Sequence, residues 1–279
     1  MAADGKILRD KVYDLGEYLR SLGSVAVAFS GGVDSALLVR AAYTVLGDKA
    51  LAITAKDAAM PDADLEEAIA YCKSLGIRHS VIDVDPLQVD AYRHSAPDRC
   101  YHCKKYIFGE IRREAERNGI DLIAEGSNMD DLADYRPGAR AIRELGILSP
   151  LREAGLYKSE IRELASIFSV PMWNKPAAAC LATRFAYGEA LTVERLRMVG
   201  RAEAFLHENG FRQCRVRVHG DLARIEVEPE DIPKLMDEAL RTVIHDKLKG
   251  IGFAYVSLDL KGYRTGSMNE VLGDEDKQA

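Results

Sequence analysis

The chain has 279 residues, a formal net charge of −6, and a content of 47% apolar and 29% charged residues. Its length exceeds one ordinary hydrophobic core and predicts one large domain or two unequal ones. No apolar run is long enough to span a bilayer, the acidic balance argues against a broad nucleic-acid surface, and five cysteines are too few for a disulfide scaffold.

The first twenty residues, "MAADGKILRDKVYDLGEYLR", scatter charges through the segment and hold no apolar signal core, so a cytoplasmic chain without a membrane partner is expected. From there the pattern alternates. Strands are predicted over 24–30, 50–55, 79–84 and 121–127, and helices over 35–47, 61–76, 104–119 and 158–169. Near-continuous apolar strands between helices predict a doubly wound, mostly parallel α/β sheet over residues 1–188. Beyond a linker near "YGEALT" the pattern changes: a helix over 192–210, two alternating strands in "CRVRVHG" and "LARIEVEP", a helix over 230–252 and a strand over 253–262. Gly220-Asp221 between the first two strands reads as a hairpin turn. A smaller α+β domain is therefore expected over 189–265, followed by a polar tail over 266–279.

The first strand runs into "SGGVDS". Glycines at the end of a strand let backbone N–H groups approach a ligand, and the helix that follows favours negative charge. Ser30, Gly31, Gly32 and Ser35 are read as a phosphate loop, and Asp34 as the ligand of a Mg²⁺ ion between protein and phosphate. The loop lacks the lysine of a nucleoside-triphosphate P-loop and the third glycine of a dinucleotide fingerprint. A tight turn selected only for packing is the structural alternative. The polar stretch "EGSNMDDLADYRPG" follows the fourth strand, at the edge where open parallel sheets bind ligands. Asn128, Asp130, Asp131 and Asp134 crowd there beside Arg136, which suits a Mg-nucleotide and its acceptor.

Cys180 stands among small residues in "NKPAAACLATRF", with Lys175 and Arg184 nearby in sequence. Cations raise the thiolate fraction of a thiol, although a buried structural cysteine is the commoner fate. In "CRVRVHGDLARIEV" alternation puts Arg215, Arg217 and His219 on one strand face. Two arginines roughly 7 Å apart along a strand suit a phosphate or carboxylate, and a solvated edge face is the alternative. Cys100 and Cys103 form a C-x-x-C in "RCYHCK", which by itself fits a zinc half-site, a redox pair or neither. His102 between them points away from both. Cys72 falls on an apolar helix face and Cys214 beside two valines, both as core residues.

"SGGVDS" resembles the pyrophosphate loop of the N-type ATP pyrophosphatases. Together with "RCYHCK", "GSNMDDLADYRPG", "ELGILSPLREAGLYKSEIRELA", "WNKPAAACLATR" and "RVRVHGDLARIEV", it resembles the LarE family from about residue 8 to 262. That family supplies sulfur in synthesis of the nickel-pincer cofactor of lactate racemase. The resemblance implies that ATP adenylates a carboxylate of a pyridinium dicarboxylic acid mononucleotide, and that sulfur then displaces AMP to leave a thiocarboxylate. It implies nucleotide contacts by Ser30, Gly31, Gly32, Asp34, Ser35, Gly126, Asn128 and Asp131, catalytic roles for Cys180, Arg215 and Arg217, and a homo-oligomer. It also implies two sulfur sources. In one branch Cys180 is itself sacrificed and becomes dehydroalanine. This chain is similar to a second branch, in which three thiolates, here Cys100, Cys103 and Cys180, hold a [4Fe-4S] cluster with one iron open. A tRNA thiolase of the same superfamily is the remaining alternative, and the acidic charge speaks against it.

Overall fold

The computed structural model describes residues 2–132, 137–175, 179–271 and 273. By contact the chain divides into two compact units, residues 1–86 with 100–178, and residues 87–99 with 179–279.

The first unit is built on four parallel strands, β1 (Val25–Ala28), β2 (Ala50–Lys56), β3 (Arg78–Asp83) and β4 (Ile123–Ala124), in the order β3-β2-β1-β4. This is the α/β parallel sheet that the sequence predicts. Period-two alternation sends successive side chains to opposite faces, and each face has its own core. Val25, Val27, Ala50 and Ala52 pack against α1 (Ala2–Leu22), α2 (Val33–Leu46) and α3 (Asp62–Leu75). Ala26, Leu51 and Ile53 face the other way.

The chain continues through a short turn, α4 (Asp90–Arg93), to α5 (Arg99–Arg117) and α6 (Pro137–Glu144), whose Phe108, Ile111 and Ile142 cover that second face. A short turn, α7 (Pro150–Glu153), leads to α8 (Lys158–Ile167), which returns to the first face through Ile161 and Leu164. Two corrections bear on the site. The predicted strand over 121–127 is only two residues long, and Leu148 pairs in parallel beside Ala124 to extend the sheet. Cys100 and Cys103, expected ahead of a helix beginning at 104, lie within the first turns of α5. The amphipathic α1 had no counterpart in the sequence reading. Its apolar stripe Leu8, Val12, Leu15, Leu19 has helical spacing, but the charges between mask it.

The second unit holds α9 (Val193–Glu208), β5 (Cys214–His219), β6 (Leu222–Val227), α10 (Glu238–Ile251) and β7 (Tyr255–Leu258). β5 and β6 form the expected hairpin, with Gly220 at φ 60° in its turn, and β7 joins β6 in parallel. The predicted helix over 230–252 is interrupted: a 3₁₀ stretch, Pro229–Met236, precedes α10, and Asp237 caps α10 by accepting from the Leu240 N–H. The division between units falls ten residues before the expected boundary at 188. The reason is local pairing. Phe185 bridges to Val218 of β5, the Gly188 N–H donates to the Ser95 carbonyl, and the Leu191 N–H donates to the Arg93 carbonyl. No described helix is long and apolar enough to cross a membrane.

Candidate active site

Strand order in the first sheet reverses between β1 and β4, and the carboxyl edge at such a reversal is where open α/β sheets bind ligands. Ser30-Gly31-Gly32 leaves β1 at that point. Gly31 has φ 75°, and a Cβ there would lie 3.1 Å from the Asp64 carbonyl oxygen, so only glycine lets the loop rest on the first turn of α3. Gly32 is the N-cap of α2 and supplies no side-chain cap. The first N–H groups of a helix have no partner within it, and an uncapped N-terminus of this kind suits an anion. A Cβ on Gly126, which follows β4, would come within 2.9 Å of the Ser35 nitrogen and 3.2 Å of the Asp34 Cβ. The loop and the β4 turn are therefore in direct backbone contact.

The two serines do different things. Ser30 is exposed, whereas Ser35 is buried and braces the loop. The Ser35 hydroxyl donates to the Gly32 carbonyl at 3.0 Å, accepts from the Ser30 N–H at 3.3 Å and lies 3.1 Å from the Ser30 hydroxyl. One residue upstream, the buried Thr54 hydroxyl donates to the Phe29 carbonyl at 2.8 Å and meets His79 Nε2 at 2.9 Å. Since that hydroxyl hydrogen is committed, His79 must donate from Nε2. Burial lowers the His79 pKa and keeps the ring neutral.

Asp34 is the electrostatic centre of the first unit's site. Its carboxylate pairs with Lys158 Nζ at the start of α8 and accepts from Asn128 Nδ2 at 3.1 Å. Asp131 accepts from the Asn128 N–H at 2.9 Å, and Asp130 accepts from the Lys158 N–H at 2.6 Å. Lys158 thus links the loop to the β4 turn, a role absent from the sequence reading, where it was one more charge in a helical motif. Glu125 was also missed. It is buried, and its two carboxylate oxygens accept from Ser149 at 2.6 Å and Ser127 at 2.8 Å. Asp34, Asn128, Asp130 and Asp131 are thus tied to one another and to Lys158 by hydrogen bonds and one ion pair. Asp134 and Arg136 lie outside the described residues.

The thiols divide by environment. Cys72 and Cys214 are buried, as the sequence predicts, and burial pushes each up to about 12. Cys100 is exposed and Cys103 half-buried at i and i+3 on α5, adjacent on one helix face. In the second unit Cys180 is exposed, with the Tyr92 hydroxyl 3.8 Å from its sulfur. None of the five cysteines is in a disulfide. Among the described residues, no group of three or more His, Cys, Asp or Glu side chains is arranged to hold a metal ion.

The cations expected to activate Cys180 are engaged elsewhere. Lys175 Nζ pairs with Asp64 at 2.8 Å and Glu67 at 2.6 Å. Arg184 is 3% exposed and forms a two-pronged pair with Glu203, 2.8 Å on each prong, while its Nη1 donates to the Ala179 and Cys180 carbonyls at 2.8 and 3.1 Å. Arg184 therefore shapes the backbone at Cys180. β5 is buried on both faces, so Arg215 and Arg217 do not form a solvated edge. Arg217 Nη2 pairs with Glu226 at 2.8 Å. Arg215 lies over the Tyr263 ring at 5.3 Å, and burial together with the Arg184 charge pulls its pKa below the usual value.

Comparison with known proteins places this geometry. The NAD synthase family model matches residues 7–107, which include the glycine loop. The pyridinium-3,5-bisthiocarboxylic acid mononucleotide synthase of Lactiplantibacillus plantarum is 36% identical over 91% of this chain and 92% of its own length. The chain belongs to the LarE family. Its first unit is thus a PP-loop domain of the kind found in ATP-using enzymes. An uncharacterized protein of Synechocystis is 40% identical over 95% of the chain and 99% of its own length. The tRNA-specific 2-thiouridylase of Beijerinckia indica is 31% identical over only 45% of the chain.

Proposed function

We propose that this LarE-family chain transfers sulfur, at the expense of ATP, to a carboxylate of a pyridinium-3,5-dicarboxylic acid mononucleotide. The observation that carries the reading is the glycine cradle at the reversal point, Gly31 against Asp64 and Gly126 against Asp34 and Ser35, in a chain aligned over nine-tenths of its length with a synthase of the bisthiocarboxylic product. A carboxylate is a poor electrophile. Its oxygen attacks the α-phosphorus of ATP, pyrophosphate leaves, and the carbonyl carbon becomes open to sulfur. A C–S bond then forms, the C–O bond to the phosphate breaks, and AMP departs with the electron pair.

In this reading the Ser30–Gly32 turn and the first N–H groups of α2 hold the pyrophosphate, and Asn128 and Asp131 set the β4 turn that faces it. Asp34 would hold Mg²⁺, which when bound offsets charge on the departing pyrophosphate. Lys158, now paired with Asp34, is the cation nearest to replace or share that task. In the second unit Arg215 and Arg217, two guanidiniums on β5, are the cations proposed to meet the substrate's carboxylate or phosphate.

The family resemblance assigns Cys100 and Cys103, neighbours on one turn of α5, and Cys180 as the thiolates that would hold a [4Fe-4S] cluster. Such a cluster, when bound, presents one iron able to carry an extra sulfide. The test is to incubate protein prepared without oxygen with ATP, Mg²⁺ and the dicarboxylate mononucleotide, alongside iron and labile-sulfide analysis of wild type and Cys100→Ala. Pyrophosphate release with exchange of one oxygen for sulfur in the product is expected, and Cys100→Ala should lose iron while still releasing pyrophosphate. Conversion of Cys180 to dehydroalanine would assign the sulfur to that residue instead, and absence of pyrophosphate release would end the reading.

A further inference from the structure

The glycine loop leaves β1 through one peptide plane, made of the Phe29 carbonyl and the Ser30 N–H. Rotation of that plane changes ψ of Phe29 and φ of Ser30, the soft dihedrals that set the direction of Ser30-Gly31-Gly32. The plane is held at both ends. The Phe29 carbonyl accepts from the Thr54 hydroxyl at 2.8 Å, and the Ser30 N–H donates to the Ser35 hydroxyl at 3.3 Å. The Phe29 side chain is held as well, its ring centroid 5.9 Å from that of His79 and 6.2 Å from that of Tyr71.

Thr54 is fully buried in the otherwise apolar run 50–55 of β2. A hydroxyl in such a place is costly unless it is hydrogen-bonded, and its hydrogen is free to rotate among acceptors. Its direction is set from β3, where His79 Nε2 lies 2.9 Å from the Thr54 oxygen. With Nε2 donating, that oxygen turns its own hydrogen to the Phe29 carbonyl. The relay thus runs from His79 on β3 through Thr54 on β2 to Phe29 at the end of β1, three neighbouring strands. It ends on the peptide that opens the loop.

We propose that Thr54 and His79 are positioning residues of the phosphate loop: His79 orients the Thr54 hydroxyl, and Thr54 locks the Phe29–Ser30 peptide so that the loop and the first N–H groups of α2 face the departing pyrophosphate. The inference rests on the reading of Ser30-Gly31-Gly32 as the pyrophosphate site. Neither side chain touches the nucleotide in this role.

Calorimetry on the full-length protein compares Mg-pyrophosphate with AMP, which lacks the β- and γ-phosphates. Thr54→Val keeps the shape of the side chain and removes its hydrogen bonds. It should weaken Mg-pyrophosphate roughly tenfold, as loss of one hydrogen bond to a charged group does, and leave AMP within about twofold of wild type. Thr54→Ser should restore the wild-type affinity. His79→Phe should weaken Mg-pyrophosphate severalfold, and the double variant should bind no worse than Thr54→Val, because the two residues act in series. Equal losses for both ligands, no loss, or additive losses in the double variant would overturn the proposal. Amide exchange followed by NMR reads the same plane without any ligand. The Ser30 N–H should exchange severalfold faster in Thr54→Val than in wild type or Thr54→Ser, and equal rates would overturn the relay. If wild type binds no Mg-pyrophosphate, the reading of the site fails, and the Ser30 exchange rate still decides whether Thr54 holds the loop.

Discussion

Single residues at the loop are under tight steric control, and Gly126 shows it most directly. A Cβ 2.9 Å from the Ser35 nitrogen has only backbone to push against. Overpacking of this kind costs about 1–3 kcal/mol, and relief would move the first turn of α2. Gly126→Ala should therefore lower pyrophosphate release at least roughly tenfold, the equivalent of 1.4 kcal/mol in a barrier, with a fall of a few degrees in melting temperature. Near-normal turnover would show that the loop and the β4 turn act independently. The thiols give a second residue-scale expectation. With their pKa values pushed up to about 12 by burial, Cys72 and Cys214 are protonated at neutral pH. Iodoacetamide on the folded protein at pH 8 should label exposed Cys100 and Cys180 and spare these two, as read by peptide mass spectrometry. Cys72 and Cys214 were legible as core from sequence alone, because helical and strand periodicity assigns a face. Lys158 and Glu125 were not, because their meaning lies in partners 124 and 24 positions away, Asp34 and Ser149.

At the scale of elements, α9 and the Cys180 loop are joined by one buried ion pair. Burial alone would push the Glu203 carboxyl up, but Arg184, aided by Arg215 and the Val216 N–H, holds it below the usual carboxylate range. Such a depressed group contributes stability that is present above its unfolded pKa of about 4.3 and lost as pH falls through the folded value. Glu203→Gln, which leaves Arg184 buried without its counter-charge, should cost about 3–5 kcal/mol near neutrality. In urea melts the gap from wild type should narrow below about pH 4. A gap independent of pH would mean that packing, not charge, is what the variant loses. The strands and most helices were readable because apolar period and glycine or proline stops coincide in them. The errors were physical rather than random. α1 hides its stripe among charges, β4 is cut to two residues because its edge partner is only Leu148, and Asp237 breaks one predicted helix by capping the next.

For the molecule as a whole, the order of residues along the chain is not the order of the units. The second unit takes in residues 87–99, and Tyr92 and Ser95 are buried in it. A fragment of residues 179–279 should consequently lack a cooperative thermal transition, and fusion of residues 87–99 ahead of it through a flexible linker should restore one; a sharp transition in the bare fragment would show the insert to be dispensable. The same threading governs how the protein is made. Ribosomes emit roughly 5–20 residues per second, so Arg93 and Ser95 emerge on the order of ten seconds before Leu191 and Gly188, whose N–H groups their carbonyls receive. Through that interval Tyr92, buried in the finished fold, lacks its native cover, and synthesis speed between residues 99 and 191 becomes a determinant of yield.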